Sequence, residues 1–444
     1  MSEYDTEAQV TEAQQAALRL ANVDETTRNA ALNSIADAIR DNEAAILEAN
    51  AEDVEEAEAM LADGEYTQAL VDRLKLDEAK LDDIAGMVES VAEQDDPLGE
   101  TLEARELDEE LELYKLSVPI GVVATIFESR PDALVQIAAL ALKSGNAVIL
   151  KGGSEASESN RVLYETILSA TEDLPDGWAT LIEAHEEVDR LLELDDMVDL
   201  VMPRGSSEFV SYIQDNTKIP VLGHTEGICH VYVDEAADLD MAEDIALDAK
   251  VQYPAVCNAV ETLLVDESVA ADFLPAVVER YRDAGVVLRG DDATREHVDI
   301  DPATDDDWDT EYGDLELSIK VVSDLYDAVD HINAHGSKHT ESIVTGDAER
   351  AETFMTGVDA ASVFHNASTR FADGYRYGLG AEVGISTGKI HARGPVGLEG
   401  LTTYKYYLEG DGQLVATYAG EDAVPFTHEA LDADWNPGHR SRRD

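Results

Sequence analysis

Two cysteines are the first residues whose side chains could do chemistry. Cys229 lies in "CHVYV", where apolar residues alternate as in a strand, and this favours a packed structural thiol. Cys257 lies between "QYPAV" and "NAVETLLV", in a proline-broken loop between a predicted helix and a predicted strand. Loops on a rigid scaffold can present a nucleophile to a substrate, so Cys257 is the candidate. The pair cannot make a disulfide framework, and no Cys and His stand at zinc-finger spacing, which indicates a reducing compartment.

Lysine and arginine are rare in this chain, so their local density is informative. The chain has 31 Lys plus Arg against 96 Asp plus Glu. Residues 366–406 hold five cations and three acids, and residues 115–151 hold four cations and two acids. Charge-assisted recognition of an anionic substrate and a phosphorylated cofactor would explain both segments. Burial of the segments, or their position at an interface, would explain them equally well, and charge alone leaves both alternatives open.

Two short glycine-containing turns follow predicted strands. They are "LKGGSEASES", after a strand ending at Lys151, and "MPRGSSE", after a strand ending at Met202. The first amides of a helix bind phosphate groups, so each turn is a candidate cofactor loop. Two glycines without a longer glycine-rich pattern are also typical of an ordinary strand-to-helix turn.

The elements that must position these residues are read from hydrophobic periodicity. The first 95 residues are predicted to be helical, with Asp24 as an N-cap ahead of a stripe of Leu32, Ile35 and Ile39. From about Glu109, strands and helices alternate, which predicts an α/β fold with parallel sheets covered on both faces. Ligands of such sheets bind beyond the carboxyl ends of the strands. A second α/β series starts near Cys229, and the polar segment 291–314 is predicted to be a surface excursion.

The chain has a net charge of -65 and 44% hydrophobic residues. The charge limits the kinds of macromolecule or membrane that the chain is expected to bind. Nucleic acids and anionic membranes require clustered cations, so neither is expected. Acids spread along the whole chain are typical of a solvated surface, whose self-repulsion molar salt would screen. The alternative, an acidic ion-binding surface, would require calcium-loop spacing, which is absent. The N-terminus is acidic, and no apolar run reaches about 18 residues, so a cytoplasmic protein is expected. Together with the surface charge, this favours a salt-adapted cytoplasmic protein.

Several strings resemble one family when they are taken together. The chain is similar to the gamma-glutamyl phosphate reductases of the aldehyde dehydrogenase superfamily, from the N-terminal helices to about Gln413. The strings are "VPIGVVATIFESRPDALVQIAALALKSGNAVILKGGSEA", "DLVMPRGSS", "GICHVYVDE", "YPAVCNAVETLLV", "HNASTRFADGYRYGLGAEVGISTGKIHARGPVGLEGLTTYKY" and "GDGQ".

This resemblance implies an α/β aldehyde dehydrogenase-like fold with a Rossmann-type cofactor domain, an α/β catalytic domain and a small β oligomerisation element. The implied boundaries are 1–107 and 121–228, with a return segment 364–399, for the NADP-binding domain; 229–363 for the catalytic domain; 108–120 and 400–418 for the oligomerisation element; and 430–444 for a flexible tail. The apolar strand "LTTYKYYLEG" would be an exposed-edge liability unless it pairs with another subunit, so a homodimer or homotetramer is expected.

The resemblance also implies the reaction, an NADPH-dependent reduction of L-glutamyl 5-phosphate to L-glutamate 5-semialdehyde in proline biosynthesis. Cys257 would attack the acyl phosphate, release phosphate and form a thioester that accepts hydride. Backbone N–H groups near Cys257 and the Asn258 amide are the expected oxyanion donors. Oxidising relatives have a glutamate base in an "ELGG" motif, and the corresponding position here is His224, with Glu226 two residues away. The absence of that base favours the reductive direction.

The remaining site residues implied by the resemblance bind substrate or cofactor, and no metal site is expected. Arg130 and Arg370 are candidates to hold the substrate phosphate or α-carboxylate. Lys151, where the family often has Arg, would lie near the adenosine ribose and its 2'-phosphate, and Glu311 near the nicotinamide ribose. The other expected cofactor-binding residues are Gly152, Gly153, Ser154, Pro203, Arg204, Gly205 and Ser206.

Three further residues have more local expectations. Asp132 replaces the family's usual Asn and is expected to point away from the substrate or to meet a cation. His391 and Arg393 in "KIHARGP" are expected to be structural, because Gly-Pro corners often need side-chain hydrogen bonds.

Other functions are compatible with parts of the pattern. The nearest is an NAD(P)-dependent aldehyde dehydrogenase acting on another acyl group, which phosphate dependence would distinguish. A cysteine hydrolase using Cys257 with a nearby His would work without nicotinamide, and a catalytically silent scaffold would tolerate loss of Cys257. A glutamate 5-kinase is a possible functional partner, since it would supply the unstable acyl phosphate.

Overall fold

The computed structural model describes residues 6–128 and 130–436. Fourteen α-helices occur in these ranges, and none of them combines the length and apolar character that crossing a bilayer requires. They are α1 (Thr6–Leu20), α2 (Glu25–Asp41), α3 (Glu43–Ala62), α4 (Gln68–Leu74), α5 (Glu78–Glu93), α6 (Pro131–Lys143), α7 (Ser157–Ala170), α8 (His185–Leu192), α9 (Ser207–Asn216), α10 (Leu239–Val251), α11 (Glu267–Asp283), α12 (Asp292–Arg295), α13 (Leu325–His335) and α14 (Ala348–Gly357).

Seventeen strands within the same ranges form four sheets. They are β1 (Thr101–Asp108), β2 (Leu111–Pro119), β3 (Val122–Phe127), β4 (Ala147–Lys151), β5 (Ala179–Leu181), β6 (Leu200–Arg204), β7 (Cys229–Val233), β8 (Val260–Asp266), β9 (Val287–Gly290), β10 (Asp301–Pro302), β11 (Glu316–Val322), β12 (Thr340–Val344), β13 (Ser362–His365), β14 (Gly384–Ser386), β15 (Gly394–Val396), β16 (Thr402–Glu409) and β17 (Glu429–Ala430).

The chain divides into two compact units. The first comprises residues 1–204, 216–221 and 397–444, and the second comprises residues 205–215 and 222–396. Residues 364–396 therefore group with 229–363 and not with the predicted NADP-binding domain. The physical reason is that the chain leaving β13 packs against α10, β7 and β12 of the second unit.

The N-terminal helices of the first unit follow the predicted pattern. The Asp24 carboxylate accepts a hydrogen bond from the Thr27 amide at 2.8 Å and caps α2. Leu32, Ile35 and Ile39 are buried on one face of that helix. These helices flank a parallel sheet of order β5-β4-β3-β6, as the βαβ pattern predicts. Val221 forms an isolated parallel bridge with Val201 of β6.

An antiparallel sheet of order β16-β2-β1-β17 also belongs to the first unit. The sheet begins at Thr101, before the boundary at residue 108 that was expected for the oligomerisation element, and residues 415–418 form a 3₁₀ turn. The segment predicted to be a tail starts inside β17, and Trp435 packs against Tyr407 with ring centroids 4.8 Å apart. The rest of that segment, 437–444, lies outside the described residues.

The second unit contains a seven-stranded parallel sheet of order β10-β9-β11-β8-β7-β12-β13. Every residue of β7, β8 and β12 is buried, although these strands include polar residues such as His230, Glu261 and Glu341. The segment 291–314 is not a simple excursion. It contains α12 and β10, adds β10 to the sheet edge, and buries Trp308.

The amino ends of four neighbouring strands, β11, β8, β7 and β12, meet at one edge of this sheet. The segments entering these strands contain Glu311, Cys257, His224 and His339, respectively. In the first unit, Lys151 and Arg204 lie at the carboxyl ends of β4 and β6, as the rule for ligand sites predicts. In the second unit the candidate residues lie at the opposite, amino ends.

Candidate active site

Cys257 lies in the loop between α10 and β8, as predicted. The loop turns tightly, because the Ala259 amide donates a hydrogen bond to the Val256 carbonyl at 2.9 Å. Cys257 is half-buried and is not in a disulfide. Cys229, by contrast, is fully buried at the start of β7, where burial raises the pKa of its thiol well above the usual range. Its Sγ donates a hydrogen bond to the Cys257 carbonyl at 3.2 Å, so Cys229 supports the loop as a neutral thiol.

Gly227 connects Cys257 to Glu311. A Cβ on Gly227 would lie 2.1 Å from the Cys257 carbonyl oxygen, so only glycine allows this approach of two backbones. The Gly227 amide donates a hydrogen bond to the Glu311 carboxylate. Burial raises the pKa of Glu311, with Glu226 adding to the rise, while this hydrogen bond opposes it. The predicted ribose-binding carboxylate and the predicted nucleophile thus share one backbone contact.

Asn258 is almost completely buried beside Cys257. Its Nδ2 donates a hydrogen bond to the Ala372 carbonyl at 2.8 Å, while its buried Oδ1 has no hydrogen-bond partner. One amide hydrogen of Asn258 is therefore used to bind the Cys257 loop to the segment that follows β13. The role predicted for Asn258 as an oxyanion donor would require its second amide hydrogen.

Arg370 is brought close to the nucleophile. Its side chain is buried, with 8% of its surface exposed, and its Nε donates a hydrogen bond to the Gln252 Oε1 at 3.0 Å. Burial lowers the pKa of the guanidinium and nearby Arg376 adds to the fall, whereas Asp373 and the Cys257 thiol group act to raise it. A buried cation that interacts with Cys257 is suited to an anionic group on the substrate.

Two histidines lie beside Cys257, and sequence reasoning did not recognise them as site residues. One ring nitrogen of His224, one of His339 and the Cys257 Sγ all lie within 4.8 Å of one another. The His224 Nδ1 donates to the Ile385 carbonyl at 3.0 Å, and the His339 Nδ1 lies 2.8 Å from the Thr340 hydroxyl. Burial, with a contribution from His224, lowers the pKa of His339 to about 3, so this imidazole is neutral. The family resemblance had placed His224 where oxidising relatives have their glutamate base, although it gave His224 no role. No pattern in the sequence pointed to His339.

In the first unit, Lys151 ends β4 and is buried. Its ammonium donates a hydrogen bond to the Gly152 carbonyl. Burial lowers the pKa of Lys151, and four carboxylates oppose that shift, with Glu155 the strongest. Lys151, the cation predicted to bind the cofactor phosphate, therefore lies at the end of β4 and interacts with the acidic side chain of Glu155.

The two glycines after Lys151 lie close to neighbouring side-chain ends, which would have to move to admit a larger residue. A Cβ on Gly152 would lie 2.1 Å from the Asn160 Nδ2, and a Cβ on Gly153 would lie 2.1 Å from the Glu155 Oε1. Ser154 then starts a 3₁₀ turn that leads into α7. A backbone free of side chains, beside an ammonium group and the start of a helix, fits a phosphate-containing cofactor.

The second predicted cofactor segment also precedes a helix. Pro203 and Arg204 end β6, and Gly205 and Ser206 lead into α9. The Ser206 Oγ accepts a hydrogen bond from the Phe209 amide at 3.4 Å. A helix, α9, therefore begins directly after this segment, as a candidate phosphate-binding turn requires.

Arg130 belongs to the first unit, whereas Arg370 belongs to the second. Arg130 precedes α6 as its N-cap residue and is half-buried. Asp132 lies in the first turn of the same helix, where the positive end of the helix dipole favours a carboxylate. Among the described residues, one buried oxygen of Asp132 has no hydrogen-bond partner, and no cation pairs with that oxygen.

The other cations of 366–406 have local structural explanations. Arg393 and Lys389 pair with Asp359 at 2.9 and 2.7 Å and hold the pKa of that carboxyl below its usual range. Arg376 pairs with Asp373 at 3.3 Å. Lys405 lies 5.7 Å from the centre of the Tyr407 ring. His391 adopts a φ of 72°, in the left-handed region. Much of the cation excess is therefore structural.

Comparison with known proteins agrees with this geometry. The model of the aldehyde dehydrogenase family matches residues 1–310. A gamma-glutamyl phosphate reductase of Natronomonas pharaonis is 73% identical over 434 residues, covering 97% of this chain and 99% of the relative. That of Methanosarcina mazei is 54% identical, covering 96% of this chain and 98% of the relative. The crystal structure of gamma-glutamyl phosphate reductase from Thermotoga maritima matches with a TM-score of 0.89 and 41% identity, covering 93% of this chain and all of that one.

The chain belongs to the aldehyde dehydrogenase family, among the gamma-glutamyl phosphate reductases. The predicted family and fold class are therefore confirmed. As a member of this family the chain is an oxidoreductase that uses a nicotinamide cofactor.

Proposed function

We propose that this protein reduces L-glutamyl 5-phosphate to L-glutamate 5-semialdehyde with release of phosphate, the second step of proline biosynthesis from glutamate. The observation that carries this proposal is the half-buried Cys257 thiol, which interacts electrostatically with the buried guanidinium of Arg370. A thiol can take the acyl group, and a buried cation can hold the phosphate or α-carboxylate of the substrate. The names of the relatives at 73% and 54% identity support the same substrate.

The proposed chemical steps assign a role to each of these groups. The Cys257 thiolate attacks the acyl carbon, the bond from that carbon to the phosphate oxygen breaks, and a thioester forms. The bound nicotinamide supplies a hydride when it is in its reduced form. The carbon–sulfur bond then breaks, which releases the aldehyde and restores the thiolate. Cys229 and Gly227 keep the Cys257 loop in place through these steps.

The cofactor proposed is NADPH, bound by Lys151, Gly152, Gly153 and Ser154 and by the segment Pro203, Arg204, Gly205 and Ser206. Lys151 supports this preference because its ammonium would pair with a 2'-phosphate. Glu311 would accept hydrogen bonds from the nicotinamide ribose.

The oligomeric state and the cellular environment of the protein are proposed from the chemistry of its surface. β16 is an edge strand whose Tyr404, Tyr406 and Leu408 side chains are all more than half exposed, which supports a homodimer or homotetramer. The net charge of -65 supports work in a salt-rich cytoplasm, since molar salt screens the repulsion. A glutamate 5-kinase would be the source of the substrate.

The test is oxidation of glutamate semialdehyde, followed by nicotinamide absorbance. It is run with NADP or NAD, with and without phosphate, at low and at molar KCl. Activity that requires phosphate is expected, and oxidation that proceeds equally well without phosphate or arsenate would exclude the proposed reaction. Cys257→Ala should lower activity by at least about 10⁴-fold while the protein stays folded. Cys229→Ala is the matched thiol control and should lose only a few-fold, since it removes one hydrogen bond.

A further inference from the structure

The cluster of Cys257, His224 and His339 contains more coordinating atoms than the proposed acyl transfer uses. That reaction requires the sulfur but assigns nothing to the two imidazoles. All three ligand atoms lie within 4.8 Å of one another, on segments that enter the adjacent strands β8, β7 and β12. A neutral imidazole nitrogen and a thiolate are the ligands that zinc prefers.

A contact at Nδ1 holds each ring, so Nε2 is the nitrogen that would bind a metal. The His224 Nδ1 donates to the Ile385 carbonyl, and the His339 Nδ1 is paired with the Thr340 hydroxyl. Metal-binding histidines usually have such a bond on the nitrogen opposite the ligating one. The His339 Nε2 is buried and has no hydrogen-bond partner, in a side chain that is only 1% exposed. A buried polar atom without a partner is costly unless a ligand satisfies it.

The distances leave little adjustment to make. Zinc bonds of about 2.0–2.3 Å in a tetrahedron place the ligand atoms roughly 3.5 Å apart. The upper limit of 4.8 Å here exceeds that by about 1 Å, which rotation of the half-buried Cys257 and His224 side chains can supply. Cys229 does not join the set, because its buried thiol donates to the Cys257 carbonyl.

We propose that Cys257, His224 and His339 form a site for a zinc-like divalent cation, with water as the fourth ligand. Binding forms a sulfur–metal bond and releases the thiol proton. The bound metal occupies the sulfur lone pair that attacks the acyl carbon. Metal binding therefore blocks the reaction reversibly, and this second consequence rests on the proposed function.

The direct test uses cobalt(II) as the probe on the full chain, with no nicotinamide and no substrate. A thiolate-to-cobalt charge-transfer band in the near ultraviolet is expected to appear at one equivalent. The many surface carboxylates can also bind cobalt, but they cannot produce this band. All titrations use the same KCl concentration and a reductant that has no thiol.

Variants assign the ligands. Cys257→Ser should abolish the band, whereas Cys229→Ala should keep it. Removing a supporting group alone commonly costs 10–100-fold in metal affinity, so His339→Gln and His224→Gln should each weaken binding by at least about tenfold. His297→Gln removes an exposed histidine and should change nothing. A thermal-unfolding measurement on each variant identifies any variant that fails to fold. If His339→Gln does not fold, His224→Gln still tests the site, because His224 is only half-buried.

Three results would overturn the site: no charge-transfer band in the folded wild-type protein, a band that survives in Cys257→Ser, or binding unchanged in both histidine variants. Inhibition of semialdehyde oxidation by zinc, reversed by a chelator, is the expected functional consequence. The band is measured without turnover, so a protein that shows it but lacks reductase activity would contradict the proposed function and leave the metal site standing.

Discussion

Gly227 and Cys257 touch through their backbones. A Cβ on Gly227 would lie 2.1 Å from the Cys257 carbonyl oxygen and 2.4 Å from its Cα. Both atoms are backbone, so neither can turn aside as a flexible side chain would. The same glycine donates its amide to Glu311. One glycine therefore sets the position of the nucleophile relative to the carboxylate expected to bind the nicotinamide ribose.

Gly227→Ala should misplace the nucleophile without removing it. The added methyl group must push the Cys257 loop away, and a displacement of about 1 Å can cost roughly 100-fold in rate. We expect kcat/KM for semialdehyde oxidation to fall by about that factor. Gly86→Ala is the matched control, because Gly86 lies on α5 with nothing within 4 Å of its added Cβ. Activity near that of the wild type in Gly227→Ala would show that the loop position is not critical.

Local patterns were sufficient to nominate candidates that lie on one segment. The proline-broken loop made Cys257 a candidate, and the scarcity of cations drew attention to the segment containing Arg370, whereas the roles predicted for both residues came from the family resemblance. The capping role of Asp24 and the buried stripe behind it followed from helical spacing. Each of these conclusions required only neighbours within a few residues.

The contacts that complete the site could not be read in this way. His339 is 82 residues from Cys257 along the chain, and the two meet only because β8, β7 and β12 are adjacent and parallel. The same applies to Gly227 and Glu311. The general rule for parallel sheets also pointed to carboxyl ends, whereas the second unit gathers its candidates at amino ends. Strand order decides these contacts, and sequence periodicity does not specify strand order.

Arg370 should bind an anionic group of the substrate. A hydrogen bond to a charged group contributes about 1.5–3 kcal/mol, so Arg370→Gln is expected to lower kcat/KM about 10- to 100-fold. Arg370→Lys should recover part of this loss, because it keeps the charge but not the planar fork of donors. The measurement is a steady-state titration of phosphate and of semialdehyde.

Arg376→Gln is the control for Arg370. Arg376 is more exposed and already pairs with Asp373, so its loss should change kcat/KM little. If the two variants behave alike, the effect reflects local charge and not binding by Arg370.

Glu155 should weaken the preference for NADP. Its carboxylate acts on the Lys151 ammonium and lies beside Gly153, where it would repel a 2'-phosphate. Glu155→Gln is expected to lower KM for NADP relative to NAD by about two- to five-fold, the range of a partly exposed charge pair. The change should shrink as KCl is raised, because salt screens the repulsion.

Glu158→Gln is the charge-matched control for Glu155, since Glu158 already pairs with Arg161. An equal shift in both variants would indicate a general effect of net charge. No shift in the KM ratio of Glu155→Gln would contradict the proposed placement of the 2'-phosphate at Lys151.

His339 should make the protein less stable in weak acid. Its pKa is lowered to about 3 in the folded chain, against about 6.5 when unfolded, because burial disfavours the charged ring. Between these values the unfolded chain binds the extra proton, so stability falls as the pH drops from about 6.5 toward 3. The slope for one such group is about 1.4 kcal/mol per pH unit. Lowering the pH from 7 to 5 should therefore cost about 2 kcal/mol through this residue alone.

The contribution of His339 is isolated by difference. Urea unfolding at pH 7 and pH 5 in molar KCl should show a smaller loss of stability for His339→Gln than for the wild type. His230 and His331 have pKa values lowered to about 3 and about 2 by burial, so they add to the wild-type loss in the same direction and remain in the variant. His297→Gln, at an exposed position, should keep the wild-type dependence. Equal losses for His339→Gln and the wild type would mean that His339 takes up a proton at pH 5 in the folded chain, contrary to the lowered pKa.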